Sequence, residues 1–293
     1  MRELTAPDIH AMYAELHEDG LGPQTAHHVH TTFRRALQRA VTDGILPSNP
    51  TDGVPAPRVP RGPRAIPTPD EARRLLEAAR AERFFALWCF ISLVGCRKGE
   101  ALALRWTDID WDGRQAHIRW SLSGEGKNRR LRPTKGSRQR WVALSAVLLE
   151  TLQAHQERQA DERDAAGDRW AARDFICPTL TGTWTSPSFV HRKFKAVVAA
   201  AQLPITTRIH DLRHAMATAW LAAGVPVPVV AERLGHSSPD VTWRIYAHAV
   251  PNMQAAVVAA QDERVLARHH GVTTSLENGE NPEYAGNTPA PQE

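Results

Sequence analysis

The sequence predicts a mainly α-helical chain with one small antiparallel β-sheet. Three observations carry that expectation. Apolar residues recur three and four apart over most of the chain, as in Ala26, Val29, Phe33, Leu37 and Val41. Helix starts with a hydroxyl cap followed by proline recur at Thr68-Pro69, Ser186-Pro187 and Ser238-Pro239. Strand-like patterning is confined to Gln115–Ser121 and Arg138–Leu144, on either side of a Gly- and Lys/Arg-rich turn.

Taken in order, Thr5 to about His17 and Pro23 to about Asp43 read as two helices. A segment this short buries too little apolar surface to be comfortable alone. Between Pro47 and Pro69 lie eight prolines, with Arg58, Arg61 and Arg64 among them, a composition that resists helix and sheet and favours an extended strap. Thr68-Pro69-Asp70-Glu71 then opens a new helix with cap, proline and a carboxylate three residues on. Helical patterns follow over Phe84–Val94, Glu100–Leu104 and Ala146–Arg163, and helices resume from Ser186 and from near His210, the latter closed by Gly224. Pro251 to His269 reads as a C-terminal helix. The organisation expected is a helical segment at 1–50, a Pro/Arg-rich linker at 51–67, a large domain at 68–270 and a disordered acidic tail at 271–293.

The net charge of +4 hides an uneven distribution, because the tail holds four glutamates and no Lys or Arg. The folded part is therefore basic, and surplus arginine suits a polyanionic partner such as nucleic acid. No apolar run approaches the roughly 20 residues of a membrane helix, and the N-terminus lacks the order of a signal peptide. The three cysteines have no metal-ligand spacing, so free thiols in a reducing cytoplasm, with neither metal nor cofactor, are expected.

In IHDLRHAMATAW, His210 and Arg213 stand three apart and share a helix face. A plain pairing of Arg213 with Asp211 would also account for them. In LVGCRKGEALALRW, Arg97 follows Gly95 at the end of an apolar helix, with Glu100 as an ordinary ion-pair partner. PTKGSRQRWVAL puts Lys135 at the mouth of a two-stranded ribbon, where an exposed lysine is usually only solvated. Gly235-His236 precedes the helix that carries Tyr246, one of three tyrosines.

The order of these residues resembles that of the tyrosine recombinases, the phage-integrase family, from Leu4 to about Arg268. The resemblance implies a tyrosine-recombinase catalytic domain preceded by a helical, SAM-like core-binding domain. GCRKGEALALRW carries the first arginine as Arg97, and TKGSRQRWVAL carries the hairpin lysine as Lys135. HDLRHAMAT supplies His210 and Arg213, LGHSS supplies His236, and Tyr246 falls where the nucleophile belongs. Glu100, Asp211, His214 and His248 match supporting positions. Arginines and a histidine would stabilise charge gained by the nonbridging phosphate oxygens, as His210 accepts the phenol proton and Lys135 protonates the leaving 5′-oxygen. The resemblance further implies a covalent 3′-phosphotyrosine on double-stranded DNA, serving integration or excision of a mobile element. It also implies a tetramer on DNA docked through the C-terminal helix, with room for an accessory bending or directionality factor, in a bacterial cytoplasm at the nucleoid.

Only the latter half of the core-binding domain is matched, so a truncated front end is expected. Two alternatives stay open at this level: a recombinase relic that only binds DNA, and a helix-turn-helix regulator built on residues 222–248.

Overall fold

The computed structural model describes residues 4–60, 66–124, 126–134, 139–236, 238–246 and 258. The chain divides into two compact units, residues 1–64 and 65–293. In the first, α1 (Ala6–Glu18) and α2 (Pro23–Thr42) pack on each other. Their cores are thin, with Ile9 and His30 the buried residues of the two helices. Polar contacts supplement them: the Tyr13 hydroxyl meets His30 Nδ1 at 2.5 Å, and Asn49 Nδ2 donates to the Arg34 carbonyl. The described part of the proline-rich segment, to residue 60, is neither helix nor strand.

The second unit is built around α4 (Phe85–Val94), a helix apolar on nearly every side, whose Leu87, Trp88 and Ile91 are almost wholly shielded. A helix of that kind needs neighbours all round. They are α3 (Pro69–Ala78), α5 (Lys98–Ala103), α6 (Ala146–Ala166) and α8 (Ile209–Ala222). The expected start of α3 is realised, with Thr68 Oγ1 accepting from Glu71 N–H while the Glu71 carboxylate accepts from Thr68 N–H. The helix α7 (Pro187–Ala200) buries Val190, Phe194, Val197 and Val198 against the same core. A smaller apolar cluster, Ala217, Leu221, Val230 and Leu234, joins α8 to α9 (Val227–Leu234). The last described helix, α10 (Pro239–Tyr246), packs on α9.

The strand region is more elaborate than the two strands expected. β1 (Ile109–Asp110), β2 (Gln115–Ile118) and β5 (Arg140–Ala143) form one antiparallel sheet in the order β1-β2-β5. β3 (Trp120–Ser123) and β4 (Arg130–Pro133) form a second, two-stranded sheet. Gln115–Ser121 is thus split at Arg119 between two ladders, which run from Ile118↔Arg140 to Trp120↔Pro133. At the break the Arg119 carbonyl accepts from the Thr134 N–H at 3.1 Å. β3 and β4 are joined through residues 124–129, and Lys135, expected at the mouth of the ribbon, lies outside the described residues. Short polar strands gave too little alternation to show the break.

Candidate active site

Gly95 starts the site. It ends α4 at φ +71°, a left-handed conformation suited to glycine, and an added Cβ would lie 2.9 Å from Leu234 Cδ2. Its carbonyl accepts from Arg213 Nη1 at 2.7 Å. Arg213 therefore does not take the local carboxylate. Asp211 instead accepts from the Arg208 backbone N–H at 2.9 Å, closing the first turn of α8, with Arg208 Nε at 3.5 Å.

Two residues on, Arg97 caps α5. Its backbone N–H and Nη1 both donate to Glu100, at 3.0 and 2.8 Å, so the ordinary ion pair is present. Arg97 Nη2 also crosses to the Gly235 carbonyl at 3.1 Å, in the turn between α9 and α10. The sequence does not advertise that long-range bond.

Glu100 is 1% exposed and accepts from a second arginine, Arg140 Nη2, at 2.8 Å. Burial raises its pKa, but Arg140 and then Arg97 outweigh burial and hold it below the ordinary range. Arg213 is as deeply buried, and burial first, then the charge of Arg97, brings it down to about 10. It stays a cation at neutral pH. Its Nη2 is buried without a hydrogen-bond partner among the described residues. A buried guanidinium donor left unpaired is costly, and beside Arg97, His210 and His236 this one is available to a ligand anion.

His210 lies on the first turn of α8, open to solvent on one side. Its ring meets that of His214 edge to face, with centroids 4.7 Å apart. Partial enclosure first, then His214, Arg213 and Arg97, push its pKa down to about 4. His236 follows Gly235, and its Nδ1 is 2.7 Å from the hydroxyl of buried Thr242 on α10. Enclosure, then Arg213, Arg97 and the other two histidines, bring it to about 4 as well. Both imidazoles are neutral at pH 7.

Arg97, Glu100, His210, Asp211, Arg213, His214 and His236 thus surround one region. Tyr246 ends α10, four residues after Thr242. Lys135 and His248 lie outside the described residues. Two contributors were missed from sequence. Arg140 was legible in principle, since alternation puts it on the inward face of β5 with Val142. Thr242 stands one helical turn before Tyr246, another readable signal.

A helical domain that gathers two arginines and three histidines around one region, with Glu100 already shared by two arginines, defines a site for a phosphate-like anion. The phage integrase family matches residues 67–253. The chain belongs to this family, and is a site-specific recombinase, a DNA strand-exchanging enzyme. It is 27% identical over 269 residues to a tyrosine recombinase XerC-like protein of Caldanaerobacter subterraneus subsp. tengcongensis, covering 85% of this chain and 68% of that one. To the ICEBs1 integrase of Bacillus subtilis it is 26% identical over 267 residues, covering 90% and 72%. Its fold is similar to that of the Tn1549 transposon integrase solved with transposon right end DNA, with TM-score 0.70 at 19% identity over 88% of this chain and 85% of that one. Among the described residues no helix is long and apolar enough to cross a membrane.

Proposed function

We propose that this chain breaks and rejoins double-stranded DNA at Tyr246, with Arg97, Arg213 and His236 binding the phosphate under attack. The buried Nη2 of Arg213, unpaired among the described residues and set beside Arg97, His210 and His236, is the observation that carries this reading. A phosphodiester gains negative charge on its nonbridging oxygens as a fifth ligand arrives, and donors already fixed in place stabilise that charge without reorganising. Arg97 is held by Glu100 and the Gly235 carbonyl, and His236 by Thr242, so both meet that requirement.

A phenol has a pKa of about 10 and must lose its proton as it attacks. His210, neutral and on the solvent side of the cluster, accepts it. The approaching phosphate anion raises the affinity of this imidazole for that proton. Lys135 delivers a proton to the departing deoxyribose 5′-oxygen. The product is a 3′-phosphotyrosine and a free 5′-hydroxyl, and attack by the 5′-hydroxyl of a second duplex restores a phosphodiester and exchanges the strands. Glu100, Asp211, His214 and His248 serve by orienting these groups.

In this reading residues 68–270 are the catalytic domain and residues 1–50 part of a core-binding domain. The protein acts in a bacterial cytoplasm at the nucleoid, as a tetramer on DNA joined through the C-terminal helix, to integrate or excise a mobile element with or without an accessory factor. The turn between α9 and α10 resembles a helix-turn-helix, but the bond from Arg97 to Gly235 ties it to the phosphate cluster and favours an enzyme over a regulator. The test is covalent trapping on nicked duplexes from candidate attachment sites. Wild type is expected to give an SDS-resistant protein–DNA band that Tyr246→Phe lacks; a band retained by Tyr246→Phe rules out the nucleophile assignment.

A further inference from the structure

We infer that Arg140 is a positioning residue for the proposed reaction, holding the turn that presents His236 in fixed relation to the Arg97–Glu100 pair. The inference rests on the reading above. Arg140 comes from β5, Glu100 from α5 and Gly235 from the end of α9. These elements are remote in sequence, and one buried guanidinium joins them.

Each edge of that guanidinium has a separate task. Nη2 donates to Glu100 Oε2 at 2.8 Å, the carboxylate oxygen that also accepts from the Arg97 backbone. Nε donates to the Arg233 carbonyl at 2.7 Å, in the last turn of α9. Arg233 answers by donating Nη2 to the Ala143 carbonyl of β5 at 2.9 Å, so β5 and α9 are laced in both directions. Nη1 is pressed beneath Gly235, where an added Cβ would stand 2.6 Å away, and it is buried without a hydrogen-bond partner among the described residues. Gly235 at φ +68° can lie this close because it has no side chain. From the other side Arg97 Nη2 holds the Gly235 carbonyl. The residue before His236 is thus gripped by two arginines that share one carboxylate.

Sharing also affects charge. Were Glu100 to face Arg97 alone, the carboxylate would neutralise the guanidinium intended for phosphate. With Arg140 on its second oxygen, the trio keeps a net positive charge. Only a planar fork reaches Glu100 and the Arg233 carbonyl together; a lysine ammonium reaches one or the other.

The test uses Arg140→Lys, which keeps the charge and most of the volume, alongside Arg140→Met. In single-turnover cleavage of nicked duplexes with enzyme in excess, loss of folded protein lowers the amplitude, whereas a displaced site lowers the rate constant. Arg140→Lys is expected to slow the rate constant by about 10- to 100-fold while leaving DNA affinity near wild type. A second readout needs no DNA: in the free protein the His236 imidazole is expected to titrate closer to the ordinary value in Arg140→Lys, while His210, which Arg140 does not touch, keeps its midpoint. An unchanged rate constant with wild-type His236 titration overturns the inference, as does a loss confined to amplitude or to DNA binding. If wild type itself forms no adduct, the functional reading is at fault, and the His236 titration still decides the role of Arg140.

Discussion

Glu100→Gln isolates the buried charge without changing its shape. The carboxylate accepts Arg97 Nη1 on one oxygen and Arg140 Nη2, with the Arg97 backbone N–H, on the other. Either orientation of the replacing amide turns an NH₂ group toward a donor, and two guanidinium groups lose their counter-charge. Breaking a buried ion pair from one side costs about 3–5 kcal/mol. For a folded unit of about 150–250 residues each kcal/mol moves Tm by about 2–4 °C, so the variant is expected to melt roughly 6–20 °C lower at pH 7. The difference has a definite pH dependence. Because the folded protein holds the Glu100 pKa below its ordinary value of 4.5, its charge stabilises the fold above that value, and the advantage is lost as pH falls through the lowered folded pKa. Scanning calorimetry of both proteins from pH 7 to pH 3 should show the gap close in acid. A variant that melts within about 2 °C of wild type at pH 7, or a gap that persists unchanged to pH 3, refutes the reasoning.

Three further outcomes are expected. Arg213→Ala should slow covalent adduct formation by about 10²–10³-fold while weakening DNA binding far less, measured by single-turnover trapping beside gel-shift titration; a pure binding defect would make it a structural arginine. Lys135→Ala should slow cleavage of ordinary DNA yet spare a substrate whose leaving group is a 5′-phosphorothiolate, since a thiolate leaves without a proton; equal loss on both removes the general-acid role. In the free protein His210 and His236 should titrate near pH 4 by NMR, and midpoints between 6 and 7 would contradict their enclosure beside the cation cluster. Their depressed values also mean that unfolded chain takes up protons first as pH falls from about 6.5, so these two residues lower stability over that interval.

Much of this protein is legible in its residues. Helix starts such as Thr68 to Glu71 are local events, settled by hydrogen bonds three residues apart, and the long apolar α4 announces a central helix by composition alone. The order of Arg97, His210, Arg213, His236 and Tyr246 pointed to the family because each motif is contiguous. Tertiary structure decided the rest. Arg213 passes over nearby Asp211 for the carbonyl of Gly95, and Arg97 adds a bond to Gly235 on top of its ion pair with Glu100. Arg140 became part of the site only when the ribbon split into two ladders and set β5 beside α9. Each choice depends on which carbonyl or carboxylate a guanidinium meets across the fold, and the spacing of residues along the chain does not encode that meeting.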